Sequence, residues 1–343
     1  MASSRSDDGY FPRATSVLRR VHDERLVGLF FGQRALAIGA LQPVNYTGTS
    51  QSTGGRERPF RRLVRTANDF EAIFFGTRAE ADKVLGKVQK LHQRVHGELP
   101  EAAGPFPAGT PYSAFDPELM LWTVAVTAES ALYFYELFVR PLSAWERDAF
   151  WQDYIRFGEL FGMPREVAPP TYATFSAWWD AKLASDEIFL TDEARRTGEF
   201  VAFKIPMPGI NQPAKRLHDL VMLGSLPPQV RALYGLSWSA AQARAFPLAV
   251  GALRGLRAVA PASVRQGSCA RNFALVEKTE RQRIERGKPT PQLPPLPNSS
   301  RGRADAAQEL AAATSASAGI ASEPSDAANG AVAAVSRSTR SSR

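Results

Sequence analysis

The chain has 343 residues, 44% of them hydrophobic, enough to bury a large core in one domain or two. Its single cysteine, Cys269, excludes an intramolecular disulfide and any CxxC metal site, and suits a reducing compartment. The net charge of +8 is dispersed, with +3 from Arg286 onward and +5 from the rest; with no recognised motif, a solvated surface is expected rather than a nucleic-acid partner.

The N-terminal MASSRSDDGYFPR has no apolar h-region and no cleavage signal, which predicts a cytoplasmic location. A short helix is predicted over 14–23 and a second over 24–40. The apolar part of the second, Leu26 to Leu41, carries Gln33 and Arg34 and is too short and too polar to span a membrane. Ala245 to Ala260 is interrupted by Pro247, Arg254 and Arg257, so no transmembrane helix is predicted and peripheral membrane contact stays open. Gly28, Gly32, Ala35 and Gly39 would admit the close approach of a neighbouring helix or of a flat ligand. Pro43 is read as the stop of this helix, and Thr47 to Arg58 as a polar loop.

A third helix is expected from Phe60 to Phe75, with Arg62 and Thr66 one turn apart on one face. A buried arginine there can bind a carboxylate or steady a developing anionic oxygen, and the threonine hydroxyl can hydrogen-bond the same ligand. The alternative is a solvated basic stretch, since Arg58, Arg61, Arg62 and Arg65 lie close together. From Glu80 onward Ala81, Val84, Leu85, Val88, Leu91 and Val95 recur at helical spacing, and Gly97 is read as the C-terminal cap. His92 shares this apolar face. Spacing alone leaves it either a metal or haem ligand or a hydrogen-bonded core histidine. His96, one turn on if the helix continues, could pair with His92 on zinc, but no third ligand is evident. His22 and His218 are isolated; each is read as structural, with a second axial ligand the minor option for His218.

After a Gly/Pro-rich loop over 98–111, Asp116 and Pro117 read as the N-cap and first residue of a long apolar helix, Leu119 to Val139, buried at the centre. Ser143 caps a helix running to Phe161. Thr174 to Ser185 and Thr191 to Glu199 are further helices, and helical pattern continues over 215–258. Ser239 to Arg257 is read as the last element of the fold. Beyond Arg286 the chain turns to Pro, Ala, Ser and Gly without apolar periodicity. The resulting division is a flexible N-terminus (1–12), an all-α domain (13–285) and a disordered tail (286–343). No G-x-G-x-x-G, no P-loop and no Cys-Pro haem-thiolate signature is present.

One ordered set of residues carries a resemblance. Arg62 and Thr66, Phe75-Gly76, His92-x-x-Val95-x-Gly97, Tyr112, Phe115-Asp116-Pro117-Glu118-Leu119, Trp122 and Ser130 begin it. Pro141-Leu142-Ser143 and Leu160-Phe161-Gly162-Met163-Pro164 continue it, with Ser16 to Val21 and Arg34-Ala35-Leu36 upstream. Together, over about residues 10 to 250, they resemble the MpaB and latex-clearing-protein family of all-α, globin-like oxygenases that bind haem b. The resemblance implies that His92 is the axial iron ligand and that Arg62 and Thr66 serve the haem site. Arg65 stands where latex clearing proteins carry a lysine near the distal face; it keeps the charge but not the shape or the scope for deprotonation. The implied activity is oxidation by dioxygen of a hydrophobic, isoprenoid-like substrate, with cleavage of a carbon–carbon double bond. The alternative is a haem- or hydrophobic-ligand-binding protein without turnover.

Overall fold

Ser16 starts the first helix: its hydroxyl accepts the Arg19 N–H at 3.0 Å, and α1 runs Val17–Asp23. This computed structural model describes residues 9–51 and 59–288. Phe11, within the stretch ahead of α1, is buried edge-on against Phe74. α2 (Arg25–Gly39) follows, and its glycines differ in use. A Cβ at Gly28 would meet Cys269 Sγ at 2.7 Å, whereas one at Gly32 would meet nothing within 4 Å.

α2 ends at Gly39, ahead of Pro43 as expected, but Pro43 then opens α3 (Pro43–Gln51), so the expected loop is helical from Thr47 through Gln51. Proline is tolerated at a first helical position, because its missing N–H would be unsatisfied there anyway. Gln42 supplies the cap, its Oε1 accepting the Asn45 N–H at 2.8 Å. The remainder of the expected loop, 52–58, lies outside the described residues.

α4 (Pro59–Phe75) and α5 (Arg78–His92) form a helical hairpin joined by Gly76 and Thr77. Thr77 caps α5 with a reciprocal pair: its hydroxyl accepts from Glu80 N, and the Glu80 carboxylate accepts from Thr77 N. The helix ends at His92. Gly97 is therefore not its cap, and His96 is not one turn beyond His92 on the same helix. Both lie in β1 (His96–Glu98), paired antiparallel to β2 (Pro111–Ser113) with Gly97 opposite Tyr112. A Cβ at Gly97 would come within 2.6 Å of Tyr112 Oη, so the glycine serves the close packing of this ring.

α6 (Pro117–Phe138) is the central helix that its sequence predicts. Asp116 accepts from the Glu118 and Leu119 N–H groups, Pro117 is the first residue, and fourteen of the residues that follow are buried. It packs along α2, where Trp122 Nε1 donates to Gly39 O at 3.0 Å. α7 (Ala144–Leu160) begins at the Ser143–Glu146 capping box and lies against α1 and α6. α8 (Tyr172–Leu183) stacks Trp179 on Trp122, and α9 (Asp192–Phe203), capped by Thr191, lies against α2.

α10 (Gln212–Ser225), α11 (Pro228–Tyr234) and α12 (Ala240–Val259) complete the expected helical region. α12 is not the last element. α13 (Ala262–Arg265) and α14 (Ala270–Glu285) follow, and α14 packs on α4. The fully buried residues of α14 are Thr279 and Glu280, and its apolar share of the contact is the part-buried Val276 packed on the Phe60 cluster, so only a weak apolar pattern in the sequence announces it. The fold is all-α, a single helical domain. The expected tail falls beyond Lys288, outside the described residues.

Candidate functional site

The α4–α5 hairpin carries every residue expected at the site. Glu280 on α14 fixes its start: the carboxylate oxygens accept the Phe60 and Arg61 N–H groups, each at 3.0 Å, next to Arg62 in the first turn. An acceptor there satisfies N–H groups that a helix leaves unpaired, and a negative charge suits the helix N-terminus. At the other end Gly76 closes the turn, since a Cβ would lie 2.4 Å from Ala72 O. Asp69 and Lys87 pair across the hairpin at 3.6 Å. Counting away from the turn at about 1.5 Å per residue, Arg62 lies two turns beyond Asp69 and His92 between one and two turns beyond Lys87. Arg62 and His92 therefore share the end of the hairpin away from the turn. Arg62 is half-buried, while Arg65 and Thr66 are exposed.

His92 is half-buried, and burial holds its imidazole below the ordinary histidine range, so it is neutral near pH 7. Its Nδ1 is buried and has no hydrogen-bond partner. Among the described residues no hydrogen bond to Nδ1 fixes the ring. Phe115, just before α6, and Phe161, at the end of α7, flank the ring at 6.0 and 6.3 Å between centroids. Phe161 meets Phe157 at 5.0 Å, and Phe157 meets Phe70 of α4 at 5.3 Å. Phe70 is four residues beyond Thr66 and eight beyond Arg62, so one face of α4 carries all three. An aromatic row consequently links that face to His92.

The apolar stripe of α5 is less buried than its periodicity suggests. Ala81 is buried, but Val84, Leu85 and Val88 are only partly so, and Leu91 is 43% exposed. An apolar helix face with this much exposure is a surface suited to a further apolar body. Of the aromatics of α6, Trp122, Phe134, Tyr135 and Phe138 are fully packed core, and Tyr133 is part-buried under the Arg34 guanidinium.

The other histidines are committed elsewhere. His22 is buried with Nε2 at 2.6 Å from Tyr154 Oη. His218 stacks on Phe30 and uses Nε2 on Gln33 Oε1 at 2.7 Å and Nδ1 on Asp219 at 3.3 Å, which leaves neither nitrogen for a ligand. His96 in β1 cannot join His92 across a helix turn, which removes the zinc pair. Among the described residues no group of three or more His, Cys, Asp or Glu could hold a metal ion. Cys269 is buried under Gly28, and desolvation pushes its thiol up to about 12, so it is no nucleophile.

Phe115 and Phe161 belong to the resembling pattern, but nothing in the sequence marks them as the walls beside His92. Phe70 is within reach of sequence reasoning, because its spacing continues Arg62 and Thr66. Arg34 and Ser130, from two separate pieces of that pattern, meet in the core. The Arg34 guanidinium donates to Ser130 Oγ at 2.9 Å and Ser225 O at 3.0 Å, pairs with Glu129, and lies over the Tyr133 ring at 4.5 Å.

Two uncharacterized proteins, one from Mycobacterium bovis and one from Mycobacterium tuberculosis, are each 28% identical to this chain over 198 residues, which is 58% of the chain and 74% of either relative. No solved structure gives a significant match. Residues 19–259 match the family model of the catalytic domain of the ER-bound oxygenases mpaB/B′ and the rubber oxygenases, and the chain belongs to that family.

Proposed function

We propose that this oxygenase-family chain works with haem b, using dioxygen to oxidise a hydrophobic, isoprenoid-like molecule, with His92 as the iron ligand. One observation carries the reading: a neutral imidazole with a buried nitrogen unclaimed by the protein, set between two phenylalanines at the open end of a helical hairpin. These residues fit the group. A porphyrin brings four nitrogens of its own, so one imidazole completes the site where a protein-only metal cage would need three or four ligands. The part-exposed stripe of Val84, Leu85 and Val88, on the helix that carries His92, suits a flat apolar ring.

When bound, haem supplies a redox-active iron at which dioxygen is reduced. The chain's own residues do the rest. His92 holds the iron through a nitrogen that is already deprotonated near neutral pH, so binding need not displace a proton. Arg62 offers a guanidinium to a propionate, and Thr66 a hydroxyl on the same face. Arg65 keeps its proton at any physiological pH, so it holds positive charge near the site and cannot serve as a base. Phe70, Phe115 and Phe161 exclude water and favour an apolar substrate. A reducing, cytoplasmic setting suits the free Cys269, and among the described residues no helix is long and apolar enough to cross a membrane.

Titrating the full chain with haem and recording the absorption spectrum tests the ligand. A saturating Soret band is expected, with His92→Ala losing it or shifting it while the far-UV circular dichroism stays unchanged. Wild-type protein without a Soret band, or an unaltered band in the variant, overturns the assignment. Oxygen uptake and carbonyl products with candidate polyenes then test turnover. Haem retained with no uptake on any substrate would leave the non-catalytic binding reading in its place.

A further inference from the structure

The outer face of α12 breaks the usual rule for a surface helix. Such a face is ordinarily polar, yet Leu248, Leu256 and Val259 are 74%, 64% and 82% exposed. Steps of three, four and seven bring them onto one side together with Gly251 and Gly255, where an added Cβ would meet nothing within 4 Å. α13 continues the apolar surface with Val264, 54% exposed. The buried side of α12, Ala249 and Val250, faces the core, so the exposed stripe is not a helix wrongly turned.

Within the segment itself the charge is of one sign. Between Asp219 and Glu277 the chain carries six arginines and no carboxylate. Arg257 is spent on Glu24, with its Nε at 2.8 Å from a carboxylate oxygen, and Arg231 on main-chain carbonyls and Trp238. Arg244 and Arg254 are exposed beside the stripe, and Arg271 is exposed at the start of α14. An apolar face edged by arginines complements a lipid surface with anionic headgroups: the leucines and valines enter the acyl boundary, and the guanidinium groups stay at the phosphates. A second copy of the chain fits less well. An isologous contact would set the same arginines against each other, with no acidic residue in the segment to answer them.

We infer that α12 and α13 form a peripheral docking surface for an anionic bilayer. The inference stands apart from the haem reading, since it concerns a different part of the molecule and is read without any cofactor.

Co-sedimentation of the full chain with vesicles tests it, using phosphatidylcholine alone and phosphatidylcholine mixed with phosphatidylserine. Wild-type protein should pellet with the mixed vesicles, less with the neutral ones, and less again at high salt. The double substitution Leu256→Glu with Val259→Glu should lower partition at least about tenfold, because it sets two charges into the contact face. Both positions are exposed, so melting temperature and circular dichroism should not move. If the acidic pair does disturb folding, Leu256→Ser with Val259→Ser reads the same partition. Wild-type protein that stays in the supernatant with both vesicles overturns the inference, as does a folded variant that binds like wild type. A concentration-dependent dimer that these substitutions dissociate, with no vesicle binding, would assign the face to a second copy and equally overturn it.

Discussion

The imidazole of His22 lies wholly inside the core, stacked on Phe74 with ring centroids 4.4 Å apart and edge-on to Phe31 at 4.6 Å. Desolvation pushes its pKa down to about 3, from 6.5 in an exposed histidine. The unfolded chain therefore binds a proton between these values that the folded chain refuses. Stability from this group is complete above about pH 6.5 and is lost as pH falls toward 3, at up to about 1.4 kcal/mol per pH unit. Urea midpoints measured across this range should fall with acid, and His22→Gln, which can keep a hydrogen bond to Tyr154, should flatten the slope. An unchanged slope in the variant would mean that other groups set the acid sensitivity. His92 is shifted in the same direction by the same cause, but it is half-exposed at a helix end and has no protein partner for Nδ1. Burial lowers the pKa of both rings; His22 uses Nε2 on Tyr154, whereas His92 Nδ1 is without a protein partner.

Helices whose caps lie in their own local sequence are legible in that sequence alone. Asp116, Ser143, Thr191 and Ser239 each accept an N–H two or three residues ahead, and such bonds can be read from a short window. Elements whose reason lies elsewhere in the chain are not legible in this way. α14 gives little apolar signal because one of its two buried residues, Glu280, is an acceptor for α4, more than two hundred positions away. β1 exists only because β2 pairs with it, so Gly97 resembles a helix cap although it is a seat for Tyr112. The candidate site divides along the same line: spacing makes Arg62, Thr66 and His92 candidates and the family resemblance selects them, while Phe115 and Phe161 arrive from other helices. Glu280→Ala tests the long-range element. It should cost about 1–3 kcal/mol by leaving two helix-terminal N–H groups without their acceptor. It should also weaken haem binding, because the turn that frays carries Arg62. Loss of stability with unchanged haem affinity would separate the start of α4 from the site.

At the scale of the whole molecule, the chain closes on itself through its last described helix. Cys269 N donates to Glu71 of α4 at 2.6 Å, and Ser268 Oγ donates to the same carboxylate. Gly267 N donates to Asp23 O at 2.8 Å, and Arg25 Nη2 to Gln266 O at 2.7 Å. With the two bonds to Glu280, these tie α1, α2 and α4 to the segment after α12. At roughly 1 kcal/mol each these six bonds amount to about 6 kcal/mol, a large part of the 5–15 kcal/mol of a typical domain. A chain ended after Ala260 should therefore melt at least about 10 °C lower than the full chain. A chain ended after Lys288 should behave differently. The largest apolar side chains beyond it are Leu293, Leu296, Leu310 and Ile320. Burial of four such groups at about 2 kcal/mol each does not offset roughly 1–2 kcal/mol of backbone ordering for each of the residues there. Melting temperature and haem content should then match those of the full chain within a couple of degrees and within error. A larger drop, or slow amide exchange beyond position 300 in the full chain, would show that the C-terminal segment docks on the helical body.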